Sequence, residues 1–322
     1  MTFWSNRRVL VTGCSGLIGG YMAKTLLELN ADIVGFDRTA AGVLTEHGIF
    51  GQFPIAVGDM LGDVGKVEDS MTGADIVIHL AADSGVESSR RGGKDAFEAN
   101  ILGTLNVLEA ATRKGVGSVV IASSNHVYGE QEQHPTPETA QLNQLDTYSA
   151  SKICADYIAR AYAHNYDTPT AIVRNTNCYG PIDPHYDHII PATIMSLLNG
   201  VNPVIKGKGE TVKSYIHVQD TVDAYLAVAA WVLTEGHKGE VFNVADPDSR
   251  RSVSHIVREI SQVMGVDHLE PEVMHEQNDQ NDEHLGIDKI RKYVGWEPAH
   301  TLLSGLTETA DYLRKKHVLV EG

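Results

Sequence analysis

"VTGCSGLIGG", residues 11–20, sets Gly13, Gly16 and Gly19 between an apolar run and a stretch with helical spacing. The run before it, "RRVLVT" (7–12), has the Val-rich texture of a buried strand, and "LIGGYMAKTLLELN" (17–30) repeats apolar residues every three or four positions. A glycine triplet at a strand–turn–helix junction has a physical use. Gly13 permits the tight turn, Gly16 lets the backbone approach a pyrophosphate, and Gly19 lets the helix pack closely on the strand. The helix start at Leu17 and Ile18 then offers N–H donors and a favourable dipole to an anion.

Working outward, "ADIVGFD" (31–37), "FPIAVGD" (53–59), "ADIVIHLAA" (74–82), "GSVVIASS" (117–124) and "TPTAIVRN" (168–175) read as further strands. They are apolar throughout, as a parallel sheet buried on both faces requires. Helix-period segments at 94–115 and 146–166 separate them. Repeated strand–helix–strand units predict an α/β fold, a Rossmann-type doubly wound parallel sheet. After residue 176 short helices (188–200, 219–233) mix with isolated strands (202–207, 212–218). This predicts an NAD-binding domain over 1–176 and a smaller, interwoven α/β substrate lobe over 177–322, with segments around 217–247 returning to the first domain.

Asp37 ends the second strand 18 residues after Gly19. A carboxylate there accepts hydrogen bonds from a ribose 2′-OH and repels a 2′-phosphate, which points to NAD over NADP. Arg38 follows it and tempers that preference. Asp59 is expected either to contact adenine or to cap its own loop.

The chain has 322 residues, 42 acidic against 26 basic, for a formal charge of −16. That balance argues against a nucleic-acid backbone or an anionic membrane as partner. Cys14, Cys154 and Cys178 are too few and too scattered for a disulfide framework or a zinc site. With no apolar segment long enough for a membrane span or a signal peptide, the expectation is a cytoplasmic protein. His275, Asp279, Asp282 and His284 fit no standard ligand spacing, so no metal is expected.

"YSASK" places Tyr148 and Lys152 four apart, on one face of one helix. A tyrosine hydroxyl is a poor base at its reference pKa of about 10. A neighbouring ammonium and a positive nicotinamide ring favour its phenolate, which can then remove a proton from a sugar hydroxyl.

With these residues in place, the chain resembles the extended short-chain dehydrogenase/reductase family, in particular its NAD-dependent nucleotide-sugar epimerases and dehydratases. The resemblance runs through "TGCSGLIGG", "HLAADSGVESS" (79–89), "NILGTLNVLEA" (100–110), "SSNHVYG" (123–129), "YSASK", "RNTNCYGP" (174–181), "YIHVQD" (215–220) and "KIRKYVGWEP" (289–298). It implies that Ser124 assists Tyr148, and that Asn177 contacts the sugar or its diphosphate. Cofactor contacts are expected to extend to Met60, to Leu80, Ala81 and Ala82, and to Asn100. A homodimer through helices 94–114 and 146–164 is implied as well.

Such enzymes first oxidise C4 of the sugar. A 4,6-dehydratase then needs a base for the C5 proton and an acid for the departing 6-hydroxyl. Family members with that activity resemble one another in an Asp after the Ser/Thr, followed by Glu or Lys. Here Asn125 and His126 stand there. Asn125 cannot protonate a leaving group, which favours a 4-epimerase. The imidazole of His126 is a side chain that can serve as a base, and it keeps open a dehydratase similar to CDP-glucose 4,6-dehydratases. A net oxidoreductase and a non-catalytic NAD-binding protein are the remaining alternatives. Lys213 and Ser214 replace the Arg-Asp that the family often shows before "YIHV". A lysine supplies charge to a diphosphate without the bidentate fork. Asp220 is placed to cap the helix that follows it.

Overall fold

A computed structural model describes residues 2–83, 93–266, 268–274 and 282–321. The distal part of "HLAADSGVESS" therefore lies outside the described residues, as do His275 and Asp279. Seven parallel strands form the main sheet. β1 (Arg8–Thr12), β2 (Asp32–Asp37) and β3 (Ile55–Val57) run to one edge; β4 (Ile76–His79), β5 (Ser118–Ala122) and β6 (Thr170–Asn175) run to the other. A late strand, Glu240–Val244, adds beyond β6 in register with Ala171–Asn175. The order in which strands are added switches sides between β1 and β4, and in a sheet of this kind the crevice lies outside the carboxyl ends of the strands at that switch point.

β1 shows why the sheet holds. Val9, Leu10 and Val11 are fully buried, with Val9 and Val11 in the apolar cluster on one face and Leu10 in the cluster on the other. Each such burial contributes about 1.5–3 kcal/mol. One face is covered by α1 (Leu17–Glu28) and a long helix, Val218–Glu235; the other by the helices at Gly103–Lys114 and Thr147–Tyr166. The 94–114 stretch is helical throughout, with a π-helical turn at Glu98–Leu102. A third cluster, built on Tyr179, Ile194, Ile205, Tyr215, Ile256 and Leu306, is the core of the second half.

Two expectations need correction. The run 212–218 is not one strand: it divides into Val212–Lys213, antiparallel to Arg251–Ser252, and Tyr215–His217, parallel to Asn177–Tyr179. The break falls at Ser214, whose backbone oxygen accepts from Asn177 on one side while its N–H faces Glu283 on the other. Nor does Asp220 cap the following helix. His217 is the N-cap, its ring accepting from the Gln219 N–H. Asp220 lies within the first turn, and its carboxylate accepts from the backbone N–H groups of Ala299 and His300. Among the described residues no helix is long and apolar enough to cross a membrane.

Candidate active site

The glycine loop after β1 lies at the head of the crevice. Gly13 has φ +72°, and a Cβ there would come within 2.8 Å of the Ala81 nitrogen. A Cβ at Gly19 would collide with the Gly13 carbonyl oxygen. Any side chain at either position forces the loop off β4 or α1 off β1. Gly16 is the N-cap of α1, and no side chain caps that helix. The first N–H groups of a helix have no intrahelical acceptor, so those of Leu17 and Ile18 are open to an anion.

Asp37 closes the same loop: one carboxylate oxygen accepts from the Ser15 N–H at 2.9 Å and the other faces the Thr39 N–H at 3.4 Å. Arg38 beside it is exposed. Asp59 accepts from the Leu61 and Gly62 N–H groups and so caps its own turn, while the Met60 carbonyl accepts from Asn106. Leu80, Ala81 and Ala82 are half-buried at the end of β4, where the Ala81 N–H meets the Thr12 hydroxyl. Asn100 is buried, and its amide is fully engaged by the Asp83 backbone and the Ser151 hydroxyl. The structure thus gives Asn100 the work of fixing the loop after β4 to the Tyr148 helix.

β5 delivers the second part of the site. It ends at Ala122, and Ser124 starts a tight turn over Asn125–Tyr128, its hydroxyl accepting from the His126 N–H at 3.2 Å. Opposite stands the helix Thr147–Tyr166, started by Asp146, whose carboxylate accepts from the Ser149 N–H. Tyr148 lies in its first turn and Lys152 one turn further. Burial raises the Tyr148 phenol above its ordinary range, and the Ser124 hydroxyl that hydrogen-bonds it partly offsets this. Burial lowers Lys152 to about 8. The Lys152 ammonium donates to the Ala122 carbonyl at 2.9 Å, which ties the helix to the end of β5. His79, fully buried beneath, is held neutral, lowered to about 3 first by burial and then by the Lys152 charge.

The Asn125 side chain is 6% exposed, and its amide nitrogen has no hydrogen-bond partner among the described residues. The His126 ring packs edge-on to Tyr148, with ring centres 6.3 Å apart. Nε2 of the same imidazole lies 3.7 Å from a Glu283 carboxylate oxygen. Glu283 is the residue that sequence reasoning missed. It gathers Lys213 (2.9 Å), Asn177 (2.6 Å) and the Ser214 N–H (3.3 Å), and so joins three separately chosen positions into one corner. Its only signal was an acidic residue in a polar stretch with no periodicity, and such a stretch carries no information about contacts.

Two groups of potential metal ligands occur among the described residues, exposed His185, Asp187 and His188, and the trio His217, His300 and Glu308. In the trio, His217 Nδ1 accepts the Gln219 N–H, so Nε2 carries the proton that faces Glu308 at 3.4 Å. A protonated nitrogen offers no lone pair to a cation. Of the cluster considered from sequence, Asp282 accepts from the Val212 N–H and His284 stacks on His134.

Comparison with known proteins agrees with this layout. The family described as "NAD dependent epimerase/dehydratase family" matches residues 9–245. The low-salt glycan biosynthesis protein Agl12 of Haloferax volcanii is 31% identical, with 94% of this chain and 97% of that protein aligned. The structure of DesIV, a dTDP-glucose 4,6-dehydratase from Streptomyces venezuelae with NAD and TYD bound, is 28% identical with a TM-score of 0.87, covering 97% of this chain and 98% of that one. A UDP-glucose 4-epimerase from Thermotoga maritima with UDP-glucose is 27% identical, also at a TM-score of 0.87, with 96% and 99% covered.

Proposed function

This chain belongs to the NAD-dependent epimerase/dehydratase family, and from that membership we propose that it is a nucleotide-sugar epimerase working through transient oxidation at C4 of a hexose. Membership supports nucleotide-sugar epimerase/dehydratase chemistry at large, and relatives of both kinds align along almost the whole chain. The choice between them rests on the turn after β5. Asn125 is a buried amide with no proton to give a departing 6-hydroxyl, and that observation carries the proposal.

The residues present fit NAD. The uncapped start of α1 and the two glycines that admit no Cβ suit a pyrophosphate, and Asp37 suits an unphosphorylated ribose. NAD held there would supply the acceptor, and later the donor, of the C4 hydride. Tyr148, as phenolate, removes the C4 hydroxyl proton and gives one back when the ketone is reduced. Ser124 hydrogen-bonds the reacting oxygens and keeps the phenol oriented. Lys152 supplies the positive charge that favours the phenolate. Asn177 and Lys213 stand at the corner where the substrate's diphosphate would bind. Asn125 offers its free N–H to a sugar oxygen.

Asp37→Ala is expected to weaken NAD binding by about 1–3 kcal/mol, the range for a charged hydrogen-bond partner. Titration calorimetry with NAD and NADP is the check. Equal affinity of the unaltered protein for both cofactors would remove the basis for assigning Asp37.

One observation favours a second reading, a 4,6-dehydratase: the Glu283 carboxylate behind His126 is an arrangement that suits a base for the C5 proton. The two readings separate in deuterated water. Simple 4-epimerisation moves hydride only, so the product gains no carbon-bound deuterium, its mass is unchanged, and His126→Ala costs about tenfold or less. Loss of water from a panel of UDP-, CDP-, GDP- and dTDP-hexoses overturns the epimerase reading. Deuterium at C5 or C3 does the same if His126→Ala abolishes it and slows turnover by about 10²–10⁴-fold.

A further inference from the structure

We propose that Glu283 is an internal anion that competes with the substrate's phosphates for Lys213 and Asn177, and so sets the affinity of the site for its nucleotide. The inference rests on the reading of this pocket as a nucleotide-sugar site and adds to it a specificity-determining residue.

Three donors converge on this carboxylate. The Lys213 ammonium reaches one oxygen at 2.9 Å, while the Asn177 amide and the Ser214 N–H reach the other at 2.6 and 3.3 Å. The same Asn177 nitrogen also donates to the Ser214 carbonyl. An ammonium, an amide and a backbone N–H around one anion form the donor set that holds a phosphate. Here all three face a side chain of the protein itself, and both Glu283 and Lys213 are buried. A diphosphate entering this corner finds the lysine already neutralised and a like charge at contact distance. In a partly desolvated pocket that repulsion is strong. The phosphate gains these donors only when the carboxylate leaves them.

The exchange needs no movement of the main chain. The Glu283 N–H donates to the Val212 carbonyl, and its own carbonyl accepts from Arg250 Nε at 2.9 Å. On the other side the Thr136 N–H donates to the His284 carbonyl, and the Gly286 N–H to the Thr136 carbonyl. The backbone is therefore held at Glu283 itself and at His284 and Gly286 beyond it, which leaves the side chain to rotate. His126 Nε2 lies 3.7 Å away, so the displaced carboxylate has a hydrogen-bonding group to receive it.

The test is titration calorimetry on NAD-saturated full-length protein with pyrophosphate, UDP, CDP, GDP and dTDP. Glu283→Gln removes the charge at nearly constant shape. It is expected to tighten pyrophosphate and the preferred nucleoside diphosphate by about tenfold or more, because the repelling charge is gone. Glu283→Asp pulls the carboxylate back by one methylene and should tighten them less; adding Lys213→Met to either variant should erase the gain. Removing one member of a buried pair can destabilise the fold, so melting curves accompany each titration, and Glu283→Asp stands in if the glutamine variant does not fold. Unchanged or weaker binding in a folded variant overturns the proposal while leaving the nucleotide-sugar reading intact. If neither the unaltered protein nor any variant binds a nucleoside diphosphate, that reading fails and this one falls with it.

Discussion

Tyr148→Phe is expected to lower turnover by about a thousandfold or more, within the range for a lost general base, while cofactor and substrate affinity stay nearly constant. The phenyl ring keeps its place in the first turn of the helix started by Asp146, so packing there is preserved. What disappears is one oxygen, the atom that hydrogen-bonds Ser124 and that the proposed mechanism makes the acceptor of the substrate proton. Burial already holds the phenol above its ordinary range, so the protein without ligands keeps Tyr148 protonated. Activity then depends on whatever restores the phenolate, and a phenyl ring offers nothing to restore. Product analysis under saturating cofactor and substrate is the measurement. A variant that keeps more than about a tenth of the original rate would show that another group serves as base.

Much of the fold was legible because the sheet is buried on both faces. Strands such as Arg8–Thr12 and Ser118–Ala122 must then be apolar through their middles, at Val9–Val11 and Val119–Ile121, and a continuous Val/Ile run stands out in any sequence. The glycine loop was legible for a related reason: contacts with Ala81 and Gly13 forbid a side chain at two positions, and that prohibition is written as glycine. Tyr148 and Lys152 could be paired because a helix fixes what lies four residues on.

The parts that escaped join residues far apart in the chain. Glu283 meets Asn177 across 106 positions and Lys213 across 70, and no local period records such a meeting. Arg174 is a second case. It is almost fully buried, held by Asp156 at 2.9 Å and by the Tyr128 hydroxyl at 2.9 Å, with Tyr128 in turn donating to Asn243. As a sequence, "RNTNCYGP" reads as a strand end and a motif that carries Asn177, with nothing to mark its arginine as a buried anchor. The structure shows a charge that fastens the turn after Ser124 to the sheet. Asp220 misled for the same reason: an acidic residue at a helix start reads as a cap, and its partners at 299–300 lie 79 and 80 residues away.

Lys152→Met is expected to change the pH dependence of kcat/KM as well as its size. In the proposed mechanism the reactive form of the pair is phenolate on Tyr148 with ammonium on Lys152. At neutral pH the loss of a positive charge one helical turn away reduces the phenolate fraction, and a nearby opposite charge shifts a pKa by about 1–3 units. A drop of about ten- to a thousandfold follows. The sign of the pH effect comes from the two groups together. In the unaltered enzyme, raising the pH forms more phenolate until Lys152, lowered to about 8 by burial, begins to lose its own proton. Beyond that point each gain in phenolate is cancelled by a loss of ammonium, and kcat/KM levels off. Methionine has nothing to titrate. In the variant kcat/KM should start lower and keep climbing, about tenfold per pH unit, through 8 and toward the raised pKa of the buried phenol. A variant that levels off near pH 8 like the parent would mean that a group other than Lys152 sets that limb. The comparison needs rates for both proteins between pH 6 and 10 and no structural information beyond a matching melting curve.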